Sequence, residues 1–140
     1  RRFPTSKTKD LLLSYLAYRE AIKQGAMDAL LVDRDQNIRE GTRSSFFVIK
    51  KDTLIAPPKE KVLEGITRKI ILEIAPKIMK VKEEDIPMVE IEKYDEYFIT
   101  GTSLNIMPVR QINNSVVGKE GGKYVIQLQK IFKEYCKRIE

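Results

Sequence analysis

The sequence predicts an α+β domain in which helices flank a mixed sheet. Three amphipathic segments alternate with short apolar runs of strand length, in the order helix, strands, helix, strands, helix. The chain has 140 residues, which suffices for one domain, and shows no internal repeat or low-complexity stretch. Because 42% of the residues are hydrophobic, the chain can bury a core, and we expect residues 1–140 to form a single domain.

Helical periodicity marks three segments. The first covers residues 8–24 and stops at Gly25, which suits a C-terminal position with positive φ. The second covers residues 67–75 and stops at Pro76. The third runs from Lys123 to the end of the sequence. The apolar faces comprise Leu11, Leu12, Tyr15, Leu16 and Ile22 in the first helix, Ile66, Ile70, Ile71 and Ile74 pointing inward in the second, and Leu128, Ile131, Phe132, Tyr135 and Ile139 in the third.

Short runs rich in strand-forming residues lie between the helices. The predicted strands are residues 29–32, 46–49, 53–55 and 97–100. Residues 109–117 predict a hairpin that turns at Asn113 and Asn114. Tight connections are expected at residues 33–37 and 50–52.

Composition excludes several classes of function. The chain has no histidine, which excludes Ser-His-Asp and Cys-His nucleophile systems and every His-ligated metal site. The single cysteine, Cys136, excludes a disulfide framework and a Cys-based zinc site. No apolar run approaches the roughly 18 residues of a membrane span. Lys and Arg exceed Asp and Glu by 26 to 20, but these charges are scattered. Any catalysis must therefore use Lys, Asp, Glu, Tyr, Ser or Thr, or a cofactor.

Two candidate catalytic residues lie in the first third of the chain. Lys7 precedes the first helix beside apolar residues, where partial desolvation would favour the neutral amine that Schiff-base chemistry requires. Glu40 lies in a flexible, hydroxyl-rich turn that leads to an apolar strand. Taken singly, each has a simpler interpretation, a solvated lysine and a surface carboxylate.

Two candidate anion sites follow. Gly65 allows close backbone approach, and Ile66 and Thr67 begin a helix whose first N–H groups suit a phosphate. Residues 100–103 place backbone amides and hydroxyls directly after a strand, as in an anion-binding nest. The structural alternatives are an ordinary helix start with Thr67 as N-cap, and a plain glycine turn.

Together, these motifs resemble the signature of the class IV pyridoxal-phosphate enzymes (fold type IV). EGTRSSFF at residues 40–47, LIAPP at 54–58 and LEGITR at 63–68 follow one another as they do in that family. The resemblance covers essentially the whole chain. Ser45 stands where the family usually has Asn, and Ala56 where it usually has Thr, which bears on the subfamily rather than the fold.

The resemblance implies a mixed-sheet pseudo-barrel flanked by helices, as in the larger C-terminal domain of fold-type IV enzymes. Residues 1–6 would then be a remnant of the interdomain linker, and the N-terminal domain would be absent from this chain. That domain supplies one wall of the site in relatives, so we expect the 140 residues alone to be inactive. We also expect a homodimer and a cytoplasmic location.

The resemblance assigns roles to individual residues. Lys7 matches the lysine that holds pyridoxal 5′-phosphate as a Schiff base and moves a proton during catalysis. Glu40 matches the carboxylate paired with the pyridine nitrogen. The other matches are Leu63 on the ring face, Ile66 and Thr67 at the phosphate, Thr102 closing the phosphate cup, and Gly101, Thr102 and Ser103 near the substrate carboxylate.

The expected reaction is transamination between an amino acid, of the branched-chain type, and 2-oxoglutarate. Alternatives within the family are a D-amino-acid aminotransferase and an aminodeoxychorismate lyase. Alternatives of other classes are a basic nucleic-acid-binding module and a non-catalytic relative used for assembly. Alternating acidic and basic residues on the third helix argue against the first, and the presence of both Lys7 and Glu40 argues against the second. We therefore expect an amino acid and a 2-oxo acid as partners, without nucleic acid, membrane or metal.

Overall fold

The computed structural model describes residues 11–118 and 122–139, which contain three α-helices and ten β-strands. The helices are α1 (Leu11–Lys23), α2 (Ile66–Ile74) and α3 (Lys123–Arg138). The strands are β1 (Leu30–Val32), β2 (Asn37–Gly41), β3 (Ser45–Lys50), β4 (Thr53–Ala56), β5 (Lys80–Glu83), β6 (Ile86–Pro87), β7 (Glu96–Gly101), β8 (Asn105–Pro108), β9 (Gln111–Ile112) and β10 (Ser115–Val116). Among the described helices, none is both long enough and apolar enough for a membrane span.

Eight of the strands form one mixed sheet. Strands β1 to β5 pair in chain order, β6 joins at β2, and β7 joins at β3 and carries β8 on its other side. The β4–β5 pair is parallel, with α2 in its connection, and the other pairs are antiparallel. The expected α+β fold with a mixed sheet is therefore confirmed. Strands β9 and β10 form a separate hairpin that turns at Asn113 (φ 54°), as predicted.

Alternation along β3 and β7 divides the core into two clusters. Phe47 and Phe98 stack on one face of the sheet with ring centroids 4.9 Å apart, and they pack with Ile71 of α2 and Leu128 of α3. The opposite face packs a second cluster of Ile38, Phe46, Val48, Ile55, Ile86, Tyr97, Ile99 and Val117. Both α2 and α3 thus cover the same face of the sheet.

The second helix begins one residue earlier than predicted. Ile71 and Ile74 are buried as expected, but Ile66 is 77% exposed, so the inward orientation predicted for it is wrong. Helical side chains tilt toward the N-terminus, and a side chain in the first position therefore points ahead of the helix, beyond the sheet. The helix ends at Ile74 and a single 3₁₀ turn follows, Ala75–Lys77, which contains Pro76.

Buried Arg68 anchors α2 to the sheet. Its guanidinium donates to the Pro57 carbonyl at 2.7 Å and lies 3.3 Å from the Glu83 carboxylate on β5. A buried charge is tolerated only with such partners. The start of α2 is therefore tied both to the chain leaving β4 and to β5.

The third helix follows its predicted range. Leu128 and Phe132 are buried, and Ile131 and Tyr135 are partly buried against the same cluster. Ile139 is 66% exposed, so its assignment to the apolar face is wrong. The helix ends at Arg138, and Ile139 lies just past the part that packs on the sheet.

The first helix shows its apolar side chains to the outside. It ends as predicted before Gly25, whose φ is +83°. Within the described residues, the helix buries Ser14 and leaves a set of large apolar side chains exposed. That set comprises Leu12, Leu13, Tyr15, Leu16 and Ile22. Residues 8–10, the predicted first turn, lie outside the described residues.

The predicted strands are confirmed, and four further strands were missed. These are β2, β5, β6 and β8. Polar residues dominate β2, β5 and β8, or the strands are only two residues long, so hydrophobic alternation could not reveal them. Strand β2 matters most, because it contains Glu40.

Candidate active site

Three neighbouring strands bring Glu40, Ser45 and Thr100 side by side. Glu40 on β2 lies opposite Ser45 on β3, and Ser45 lies opposite Thr100 on β7. Directly opposed residues of antiparallel strands project to the same face. Phe47 and Phe98, which pack against α2, lie two residues further along β3 and β7 on that face. We call Glu40, Ser45 and Thr100 the polar row; it lies on the helix-covered face.

Glu40 is a buried strand residue rather than the turn residue that the sequence indicated. Its side chain is 4% exposed, and its Oε1 accepts a hydrogen bond from the Leu63 amide at 3.3 Å. Leu63 is half-buried and precedes α2 by three residues. The carboxylate therefore joins β2 to the segment that leads into the helix.

The N-terminus of α2 lies next to the polar row. Gly65 is its N-cap residue, with φ −80° and no side-chain cap, so the interpretation of Thr67 as N-cap is wrong. A Cβ built on Gly65 would lie 3.9 Å from Ser45 Oγ. The first N–H groups of a helix have no intrahelical acceptor and carry partial positive charge. Ile66 and Thr67 are the first two residues of this turn, as the resemblance implied.

Thr100 contributes a buried hydroxyl to the same place. Its side chain is 1% exposed, and its Oγ1 has no hydrogen-bond partner among the described residues. Leaving a buried hydroxyl unpaired costs about 1–3 kcal/mol. A ligand with an acceptor oxygen would remove that cost. The sequence placed Thr100 in an anion-binding segment but singled out Thr102 instead.

The turn after β7 lies against the turn after β2. A Cβ on Gly101 would lie 3.3 Å from the Arg43 carbonyl oxygen. Thr102 and Ser103 follow in this turn and are exposed, which leaves their amides and hydroxyls accessible. The segments predicted from Glu40, Leu63, Ile66 and Gly101 therefore meet at one end of the sheet. Lys7, the remaining predicted residue, lies outside the described residues.

A carboxylate that the sequence did not indicate holds the turn after Glu40. Asp28 accepts hydrogen bonds from the Ala29 and Thr42 amides at 2.8 and 3.2 Å, and from the hydroxyls of Thr42 and Ser44. No periodicity or motif spacing distinguishes Asp28 from other loop carboxylates. Its function is visible only once the chain has folded.

Arg39, the neighbour of Glu40, fixes β2 on the opposite side. It is buried and forms salt bridges with Asp33 at 2.5 Å and Asp85 at 2.8 Å. Burial alone would raise the pKa of Asp33, but hydrogen bonds from the Asn37 amide and from Arg39 lower the pKa of that carboxyl below its usual value. The strand that carries Glu40 is therefore held on both sides.

The site combines a buried carboxylate, an uncapped helix N-terminus and a buried hydroxyl. The carboxylate suits a protonated nitrogen, and the helix end with the hydroxyl suits an anion. Both features lie on one face of the sheet, within three adjacent strands and one helix. The arrangement can therefore hold a ligand that carries an anion at one end and a basic nitrogen at the other.

Comparison with known proteins places this geometry in a family context. A family model described as "Amino-transferase class IV" matches residues 1–112. A "Probable branched-chain-amino-acid aminotransferase" of Aquifex aeolicus (strain VF5) is 37% identical over 123 residues, which amount to 85% of this chain and 40% of that protein. The chain thus spans about two fifths of the length of this relative.

Solved structures show the same fold. A branched-chain amino acid aminotransferase from the organism abbreviated T.th., solved with pyridoxamine 5′-phosphate, superposes with a TM-score of 0.85 at 29% identity, covering 95% of this chain and 47% of that one. The branched-chain amino acid aminotransferase from Escherichia coli gives a TM-score of 0.83 at 30% identity, covering 89% and 43%. In both cases the match covers nearly all of this chain and less than half of the other.

Proposed function

The chain belongs to the class IV aminotransferase family, and we propose that it is the cofactor-binding part of a pyridoxal-phosphate-dependent aminotransferase. The proposed reaction exchanges the amino group between a branched-chain amino acid and 2-oxoglutarate. The observation that carries the proposal is the polar row beside the uncapped N-terminus of α2. The names of the relatives support the branched-chain substrate over the D-amino-acid and lyase alternatives.

The residues present fit the phosphate of this cofactor. The nine-residue helix α2 has no side-chain cap, and the Thr100 hydroxyl is buried without a partner in the described part of the chain. The backbone N–H groups of Ile66 and Thr67 would bind the phosphate oxygens, with Thr102 contributing its hydroxyl. Each of these groups donates hydrogen bonds, which a phosphate accepts.

Glu40 fits the other end of the cofactor. When bound, pyridoxal phosphate supplies an electron sink for the negative charge that develops at the amino acid Cα. A carboxylate at the ring nitrogen favours its protonated form, and Glu40 is buried where an ion pair is screened little by water. Leu63, which donates its amide to Glu40, would pack its side chain on the ring face.

Substrate binding is assigned to the turn after β7. The exposed amides and hydroxyls of Gly101, Thr102 and Ser103 would receive the substrate carboxylate, since this turn lies beside the turn that follows Glu40. The assignment of Lys7 as the residue that binds the cofactor covalently and moves the proton rests on the resemblance. So do the homodimer, the cytoplasmic location, the boundary at residues 1–6 and the inactivity of residues 1–140 alone.

The test is a replacement of Lys7 in the full-length protein that contains this chain. Lys7→Ala should abolish transamination of branched-chain amino acids while the protein stays folded, because the variant lacks the amine that binds the cofactor. Lys9→Ala is the matched control and should keep full activity. Borohydride reduction followed by peptide mapping should place the cofactor on Lys7. A label on Lys9 or Lys23, or an active Lys7→Ala variant, would contradict the proposal.

A further inference from the structure

Asp28 lies between α1 and β1 and uses both carboxylate oxygens on one short turn. Its Oδ1 accepts from the amides of Ala29 (2.8 Å) and Thr42 (3.2 Å) and from the Thr42 hydroxyl. Its Oδ2 accepts from the Ser44 hydroxyl at 2.9 Å. Thr42 and Ser44 are both buried, so their hydroxyls depend on an acceptor within the protein.

The turn held in this way connects Glu40 to its neighbour in the polar row. It spans residues 41–44, and it is closed by a hydrogen bond from the Gly41 amide to the Ser44 carbonyl at 2.9 Å. Glu40 precedes the turn and Ser45 follows it, and these two residues are the cross-strand pair. Any change in the turn would therefore move the Glu40 backbone and the carboxylate that it carries.

Gly41 makes the close approach of Asp28 possible. A Cβ at this position would lie 2.1 Å from Ser44 Oγ and 2.5 Å from Asp28 Oδ2. Both distances are far below van der Waals contact, so a side chain here would separate Asp28 from Ser44. The turn is thus built around the Asp28 carboxylate rather than merely adjacent to it.

We propose that Asp28 is a positioning residue for Glu40: it holds the turn at residues 41–44 so that the Glu40 carboxylate stays directed at the cofactor ring nitrogen. The proposal rests on the proposed function of Glu40. Asp28 itself touches neither cofactor nor substrate. It acts only through the backbone that carries Glu40.

The experiment compares Asp28→Ala with Asp95→Ala in the full-length protein. Asp95 is a matched control, because its carboxylate accepts the Lys51 amide at 2.6 Å and so holds the turn at the opposite end of β3, away from Glu40. The measurements are kcat, KM, the Kd for pyridoxal phosphate by absorbance titration, and the pH dependence of the bound cofactor's absorbance, which reports on the ring nitrogen.

Asp28→Ala should lower kcat by about 10²-fold, the effect of a misplaced catalytic group, and should shift the pH dependence of the absorbance in the same direction as Glu40→Gln. Asp95→Ala should leave both quantities unchanged. Asp28→Asn keeps Oδ1 as an acceptor and should restore part of kcat. In the double variant Asp28→Ala, Glu40→Gln, kcat should be no lower than in Glu40→Gln alone, because both changes act on the same group.

Additive losses in the double variant, or an Asp28→Ala protein with unchanged kcat and absorbance, would overturn the proposal. Should Asp28→Ala fail to fold, Ser44→Ala removes only the Oδ2 contact and should give a smaller loss of kcat with the same spectral shift; no shift would count against the proposal. An unaltered Glu40→Gln enzyme would instead refute the proposed function itself, so the two failures are distinguishable.

Discussion

Two helices that cover the same face of the sheet begin in opposite ways. At the start of α3, the buried carboxylate of Glu96 accepts the Tyr124 amide at 3.2 Å and the Val125 amide at 2.9 Å. At the start of α2, Gly65 supplies no side-chain cap. The buried polar residue that β7 presents near this end is Thr100, whose hydroxyl has no partner within residues 11–118 and 122–139.

One strand supplies the polar neighbour of both helix ends. Glu96 begins β7 and Thr100 lies near its end, on the same face as Phe98 between them. A carboxylate satisfies the amides and the positive end of the α3 dipole from within the protein. A neutral hydroxyl donates and does not neutralise, so the α2 end remains suited to an anion from outside. The first end stabilises the fold, and the second is built for binding.

The largest expected contrast is between the two buried glutamates that serve these ends. In the full-length protein, Glu40→Gln should keep the cofactor but lose turnover by about 10³-fold or more, since an amide cannot hold the proton on the ring nitrogen. Glu96→Gln should keep turnover but lower the free energy of unfolding by about 1–2 kcal/mol, because an amide group accepts at only one atom. Steady-state kinetics and thermal unfolding measure both, and near-normal turnover in Glu40→Gln would show that its carboxylate has no catalytic role.

The two N-cap glycines give a smaller contrast. Both have negative φ, so alanine is sterically allowed in the backbone at each position. In Gly122→Ala, the new Cβ would lie 2.3 Å from Glu96 Oε1 and displace it from the α3 amides, at a cost of about 1–2 kcal/mol in stability. In Gly65→Ala, the nearest atom is Ser45 Oγ at 3.9 Å, and stability should change by less than about 0.5 kcal/mol.

The same Gly65→Ala variant should bind pyridoxal phosphate more weakly, because the added methyl group occupies space at the α2 N-terminus. Gly122→Ala should leave the Kd for the cofactor unchanged. Absorbance titration of the two full-length variants measures this difference. Equal losses of stability in both would remove the distinction between the two helix ends.

The smallest expected effect concerns the Thr100 hydroxyl. Thr100→Val is nearly isosteric and removes a hydroxyl without a partner in the described structure, so Tm should stay the same or rise slightly. Affinity for pyridoxal phosphate should fall by about 2–10-fold, the value of one neutral hydrogen bond. A lower Tm with unchanged affinity would mean that the hydroxyl serves the fold instead.

Local periodicity predicted the helices well and the strands in part. The predicted start of α3 is confirmed, because the apolar spacing repeats over the full 16 residues of the helix. The same spacing in α1 located the helix but not its environment, since Leu12 and Tyr15 are exposed in the described structure. Periodicity reports which side chains share a face, whereas burial depends on what packs against that face.

The sequence by itself determined the candidate site through its motifs, because Glu40, Leu63 and Ile66 lie in short segments whose residue order is recognisable without a fold. Tertiary structure alone decided that Glu40 is a buried strand residue, that Thr100 stands in its row, and that Asp28 holds the turn between them. Asp28 reaches residues 14 and 16 positions away, and Ser45 meets Thr100 across two strands distant in the chain. Polar contacts of this kind leave no periodic signal, since they depend on which strands become neighbours when the core packs.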